Sequence, residues 1–322
     1  MKLGDSATLI DQVYPYGVRR ELASSVSEGS VVVAANPGAG MAELVKRTVP
    51  DTVVLRPREA GTPLGFRIQF ARALVEGAAA QGAREQPDQP ARAPAVALLA
   101  PDFGRRARDV VALAQGEIAH DVAFEQLVGG LRPHTVVVID AAHLVHAVAG
   151  PEVLWSLRDH RRVVLVTPPW FVDQLRQRDA AFFGHGRTLR LTSEKFDPPL
   201  KDPNDKAFLL ERALGNAELI AEILTRDETD VREAWRQAVA ARRAVASSFL
   251  TAAFAIHQFG PRLLQAIAAG EPPYAAIPDG STARIANALR ALRDSEFVYP
   301  PRPRRWRLVD PAMATALQGP FE

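Results

Sequence analysis

Ser30–Ala42 reads SVVVAANPGAGMA, and the rest of the chain is best read outward from it. Ser30–Ala35 is a β-branched run without alternation, as expected of a parallel strand covered by helices on both faces. Asn36 to Gly40 form a glycine-rich turn, and helical spacing follows over Ala42–Arg47. Strand, turn and helix in this order can cradle a phosphate, because backbone N–H groups and the helix N-terminus point at the anion. A working loop reads GxxxxGK[ST], its lysine reaching the outer phosphates and its hydroxyl holding magnesium. Here Gly38 and Gly40 are kept, but Ala35 stands for the first glycine, Met41 for the lysine and Ala42 for the hydroxyl. Lys46 lies about one helical turn further on and cannot substitute.

Four further short runs predict strands: Thr52–Leu55, Thr135–Asp140, Arg162–Thr167 and Arg187–Leu191. Between them, helical spacing predicts helices over Leu64–Ala80, Arg105–Leu113, Val122–Leu131, Pro151–Arg158 and Phe171–Arg176. Strands alternating with helices define an α/β fold with a parallel sheet and helices on both faces. Val96–Leu99 is a buried strand or a helix start, and Gln81–Pro94, polar with three prolines, predicts a surface loop.

Thr135–Asp140 has four apolar residues ending in an acid, the form of a strand that holds magnesium through water. The next position, where a water-activating glutamate is common, is Ala141, with His143 and His146 shortly after. Arg162–Thr167 ends in the polar Thr167. The two histidines lack a carboxylate pair or a third histidine, so no metal site is expected. Taken in order, the degenerate turn, the acid-ended strand and the polar-ended strand resemble the P-loop ATPases of the AAA+ and STAND kind, over roughly Tyr16 to Thr192. The resemblance implies a P-loop NTPase-like domain over 1–195, a helical lid over 196–270 and a winged helix-turn-helix over 271–322. It marks Asn36, Gly38, Gly40, Asp140 and Thr167 as a degenerate nucleotide site that binds ATP or ADP weakly or not at all, so neither is expected as a cofactor. Arg176, Arg178 and Arg187 sit where such ATPases carry arginine fingers or sensors; a solvated helix end and a strand flank are the preferred account of them.

From Lys206 to Ala269 the spacing is helical: Ala207–Leu214, Ala217–Thr225, Asp230–Phe259 with a break inside it, and Pro261–Ala269. Phe196–Asp205, rich in Pro and Asp, reads as a linker. Asn216 and Asp230 predict N-caps, and Gly215, Gly260 and Gly270 predict stops. A helix over Gly280–Arg293, capped by Ser281 or Thr282, has its apolar stripe at Ile285, Leu289 and Leu292. A hairpin (Phe297–Tyr299, Arg305–Val309) and a helix over Pro311–Leu317 close the chain. Thr282–Leu317, with Leu308-Val309-Asp310-Pro311 after the hairpin, resembles the winged domain of archaeal-type and origin-recognition AAA+ ATPases. Between Ser281 and Asp310, Arg284, Arg290, Arg293, Arg302, Arg304, Arg305 and Arg307 face three acids, an excess of four that exceeds the whole chain's +2. With the apolar stripe inward, Arg284, Asn287 and Arg290 point outward; arginine and asparagine pair bidentately with base edges. The wing arginines with Trp306 suit phosphate or minor-groove contact. Winged helices also serve as protein contacts.

There are no cysteines, which excludes disulfides and thiolate metal sites. No apolar run approaches the ~18 residues needed to span a bilayer, and Met1–Leu22 carries Asp5, Asp11 and Glu21 without an apolar signal core. A cytoplasmic protein without a membrane partner is expected. The expected function is that of a pseudo-ATPase binding double-stranded DNA through its tail, its body an oligomerisation or docking platform. The rival is an interaction subunit for an active ATPase in a defence, transposition or mobile-element system, with no DNA contact.

Overall fold

The computed structural model describes residues 10–36, 38–85, 106–117, 122–131, 134–150, 152–160, 162–175, 186–191, 196–213, 215–226, 230–302 and 305–318. Two compact units form. One draws on Tyr16–Ala35 and Met41–Leu191, the other on the described parts of Met1–Pro15, Asn36–Gly40 and Thr192–Glu322.

The first unit is built on a parallel five-stranded sheet: β1 (Val31–Ala35), β2 (Thr52–Leu55), β3 (Val136–Ile139), β4 (Arg162–Thr167) and β5 (Arg187–Leu191), in the order β2-β3-β4-β1-β5. Every residue of β1 and β3 is buried, which is why valine runs without alternation form them. β5 pairs with β1 alone and buries only Leu189 and Leu191, so its sequence alternates as an edge strand should. Val136 to Ile139 pair with Thr52 to Leu55 on one side and Arg162 to Leu165 on the other. Parallel pairing aligns the carboxyl ends, so Arg56, Asp140 and Thr167 lie at one edge of the sheet, where open α/β sheets place their ligands. Phe66, Phe70 and Phe124 pack together in the core beside Leu127 and Leu157.

Helices not foreseen in the sequence precede β1: Ile10–Val13 and Tyr16–Glu28. The latter buries only Leu22, Ser25 and Val26, too thin a stripe to read as an amphipathic face. The helix expected to end at Ala80 runs Pro63–Glu85, so the first five residues of the expected loop are helical; its remainder, 86–94, and Val96–Leu99 lie outside the described residues.

In the second unit the expected linker shortens, because Pro203 opens the helix Pro203–Ala213. The helix Ala217–Leu224 is N-capped by Asn216, whose Oδ1 accepts from the Leu219 amide at 2.9 Å. The break expected within Asp230–Phe259 is absent: one helix runs Val231–Ile256, and no Gly or Pro interrupts it. Gly260, expected as a stop, instead opens the helix Gly260–Ala268. The Val231–Ile256 helix is long and apolar enough to cross a bilayer by length and composition; one face, with Ala238, Val239, Ala246, Leu250 and Ala253, is buried within the unit, while most of its apolar stretch is not.

The tail consists of the helix Thr282–Asp294, the antiparallel strands β6 (Val298–Arg302) and β7 (Arg305–Leu308), and the helix Pro311–Gln318. Ser281, rather than Thr282, caps the first of these helices through the Arg284 amide. Ile285, Leu289, Leu292, Val298, Leu308 and Met313 share a single core with Val239, Leu250, Leu263, Leu264 and Ile267. This core draws on residues from both sides of position 270, the place read in the sequence as a domain boundary.

Candidate nucleotide site and arginine-rich tail

β1 runs into the turn Asn36–Gly40, where Gly38 and Gly40 have φ of 78° and 65°. Only glycine adopts this left-handed backbone without penalty. Both positions are also crowded. A Cβ at Gly38 would lie 2.7 Å from the Asn216 carboxamide, and one at Gly40 would lie 2.5 Å from Ile10 Cδ1 and 3.4 Å from Glu218 Cγ. The turn's carbonyls are already bonded: Gly38 accepts from the Glu218 amide at 3.2 Å, and Ala39 accepts from the Tyr14 hydroxyl at 2.6 Å. Burial first, and then the negative charge of Glu218, hold the Tyr14 hydroxyl well above its ordinary pKa. The Asn36 carbonyl accepts from the Ala39 amide, closing the turn. Met41 and Ala42, in the lysine and hydroxyl positions, are both buried.

In the sheet unit, Asp140 follows β3 and its amide donates to the Leu55 carbonyl at 2.9 Å. Its carboxylate faces the Arg56 guanidinium at 3.9 Å, and Arg56 also faces Glu59 at 3.7 Å. Desolvation raises the Asp140 pKa, opposed by Arg56 and Arg58. The side chain keeps about 37% of its surface, so solvent screens the ion pair and it is worth little in stability. Ala141 has φ 60°, a left-handed conformation costly for any residue with a Cβ. Thr167 ends β4 with its hydroxyl buried and without a hydrogen-bond partner among the described residues. An anchoring cation, a magnesium-holding hydroxyl and a freely placed acid are what a magnesium triphosphate needs. Met41, Ala42 and the Arg56-paired Asp140 do not fit it.

His143 is buried edge-on to Phe171, ring centroids 5.8 Å apart. Burial, and then the charge of Arg58, push its pKa down to about 4. The folded state therefore favours neutral imidazole. Its contribution to stability is complete above the unfolded pKa near 6.5 and is lost as pH falls toward 4, by up to about 3 kcal/mol. Asp140, with its pKa raised, works in the opposite sense. The difference between the protein and His143→Gln isolates the imidazole: urea midpoints measured from pH 7 to 4 should show a shallower acid decline in the variant, and an unchanged decline would rule His143 out as its cause. The side chain of His146 and residues Arg176 and Arg178 lie outside the described residues, while Arg187 opens β5 exposed.

On the tail helix Arg284, Asn287 and Arg290 are exposed on successive turns. Arg284 lies over the Phe259 ring at 5.2 Å, and Arg290 Nη1 donates to Asn287 Oδ1 at 3.1 Å. Arg293 is half-buried and donates to Asp294 at 2.7 Å, which leaves it less available than its neighbours. On β7, Arg305 and Arg307 are exposed with Trp306 between them, packed toward the core. Arg307 stands opposite Tyr299 in register and bonds its hydroxyl. Arg302 opposes Arg305 in register; its side chain, and Arg304 altogether, lie outside the described residues. Asp310 accepts from the Ala312 amide at 2.8 Å and faces Arg242 at 3.6 Å, so the LVDP segment starts a helix and ties it to Val231–Ile256. Arg242 and Arg226 in turn hold Glu222, at 2.7 and 3.0 Å. Sequence reading missed Arg56, Ile10, Tyr14 and Glu218.

A glycine turn after an interior strand of a parallel sheet, with an acid at the end of the next strand but one, is the arrangement of a P-loop-like fold. The structure is similar to the Walker-type ATPase PABY2304 of Pyrococcus abyssi, with a TM-score of 0.61 and 13% identity over 94% of this chain and 95% of that one. Weaker likenesses are to the Orc1 protein of Aeropyrum pernix, solved in complex with DNA (TM-score 0.47, 14% identity, 97% and 94% covered), and to Cdc6p of Pyrobaculum aerophilum (0.38, 12%, 95% and 93%). No family model and no curated protein matches the sequence.

Proposed function

We propose that this chain is a catalytically inactive protein of P-loop ATPase-like fold that binds double-stranded DNA through its C-terminal helix and hairpin. The carrying observation is the exposed set Arg284, Asn287 and Arg290 on a helix followed by a strand presenting Arg305 and Arg307, all mounted on one packed core. A rigid mount matters because phosphate contacts fix register only if their side chains are held in place. The sheet body would serve as an oligomerisation or docking platform. Met41 and Ala42 at the phosphate turn, and Arg56 facing Asp140, support inactivity. A slow ATPase is a distinct outcome of the same test.

A second reading, an interaction subunit for an active ATPase, is favoured by the helix Val231–Ile256. Its stretch Ala244–Ile256 holds no charge and leaves Val245, Phe249 and Phe254 exposed. The purified chain decides between them. A duplex of roughly 20–30 base pairs should bind at low salt, with affinity falling steeply between ~50 and ~200 mM salt. Magnesium–ATP should leave the melting temperature unchanged. Turnover of ATP would overturn inactivity; absence of duplex binding at low salt would favour the interaction subunit.

A further inference from the structure

Phe259 stands at the N-cap of the helix Gly260–Ala268, a place that favours Ser, Thr, Asp or Asn, and its side chain caps nothing. Its ring is nonetheless firmly held. The Phe259 amide donates to His257 Nδ1 at 3.1 Å, and its carbonyl accepts from the Leu263 amide at 3.0 Å. The half-buried ring packs against the core that the tail shares with the helix Val231–Ile256, and the His257 ring lies beside it with centroids 5.2 Å apart. Over this fixed ring lies Arg284, its guanidinium carbon 5.2 Å from the centroid and within the same compact unit.

Arg284 stands in the first turn of Thr282–Asp294, where the helix dipole disfavours a cation, and that turn holds no acid. Among the described residues its side chain forms no ion pair and no hydrogen bond; the Phe259 face is its support. Stacking engages the face of a guanidinium and leaves its in-plane N–H donors free, which is what a bidentate acceptor requires. Arg293 is the contrast, since its Nε and Nη2 are both given to Asp294. Asn287 Oδ1 accepts from Arg290, which makes Asn287 a brace for a second arginine on the same exposed face. Guanine is the base whose major-groove edge, O6 with N7, matches an arginine fork.

We propose that Phe259 is a positioning residue that holds Arg284 for a bidentate contact with a guanine edge in duplex DNA. The inference rests on the DNA-binding reading above, and adds the residue that orients the contact and the base that it reads.

The test measures binding of the full chain at low salt to two mixed-sequence, guanine-rich duplexes of roughly 25 base pairs. They are identical except that one carries 7-deazaguanine for guanine, which keeps base pairing and every phosphate but lacks N7. The unaltered chain should favour the guanine duplex about tenfold, within the worth of a bidentate contact. Phe259→Leu, which keeps apolar bulk and removes the π face, should cut that preference about threefold, the scale of an exposed cation–π contact. Phe259→Tyr should retain it. In an Arg284→Ala background Phe259→Leu should change nothing further, an outcome that a merely structural role would not give. If Phe259→Leu melts early, Arg284→Lys carries the test: it keeps the charge without the planar fork, so the preference should fall while the salt slope holds. Equal loss of affinity for both duplexes in Phe259→Leu, or an Arg284→Lys protein that keeps the preference, overturns the proposal. An unaltered chain that binds both duplexes equally also overturns it and leaves DNA binding standing. Absence of binding to either duplex sinks the DNA-binding reading and the proposal with it.

Discussion

Replacing Arg302, Arg304, Arg305 and Arg307 together by alanine is expected to weaken duplex binding by roughly two orders of magnitude at about 100 mM salt. It should also flatten the salt dependence. Each phosphate contact releases condensed counterions and steepens the log–log slope by about 0.9, so four lost contacts remove up to about 3.5 from it. Arg305 and Arg307 are exposed on β7, and the core lies under Trp306, Val298 and Leu308, so the hairpin itself should survive. Arg307 loses its bond to the buried Tyr299 hydroxyl, a cost of about 1–3 kcal/mol that the urea midpoint of the variant would report. Alanine at Arg284, Asn287 and Arg290 should act differently. If these side chains read base edges, preference among duplex sequences falls by about 1–3 kcal/mol per contact while the salt slope changes little. Fluorescence anisotropy across a salt series separates the two sets. Unchanged slope and affinity in the hairpin variant would place any DNA site elsewhere.

How much of this was open to sequence reading depends on how far each signal reaches along the chain. The parallel sheet was legible because burial on both faces leaves continuous valine runs in β1 and β3, a strictly local mark. Asn216 and Asp230 were legible as caps, since a side chain that bonds an amide two or three residues on acts locally; Asp230 accepts from the Arg232 amide at 2.8 Å. Tyr16–Glu28 escaped because its buried stripe is only three residues. Arg56 escaped because it reaches Asp140 through the pairing of β2 with β3, which no local pattern specifies. Gly38 and Gly40 were read for what they lack, a neighbouring lysine. Their partners Ile10, Asn216 and Glu218 come from distant parts of the sequence, and only the folded chain brings them together.

The same limit bears on the tail, whose helix, hairpin and helix read as a separate domain. Residues 271–322 produced alone are expected to remain unfolded. Ile285, Leu289, Leu292 and Met313 are buried in a core that also needs Val239, Leu250, Leu263, Leu264 and Ile267. Removing those partners returns several large apolar side chains to water at about 1.5–3 kcal/mol each. That exceeds what a fragment of this size can spare from a total stability of about 5–15 kcal/mol. The tie between Asp310 and Arg242 is cut as well. Circular dichroism of 271–322 should show little helix and no cooperative melt, whereas a fragment beginning at 196 should melt cooperatively. DNA binding should then follow the longer fragment. A folded, DNA-binding 271–322 would mean that the shared core is dispensable and that the tail is a domain in its own right.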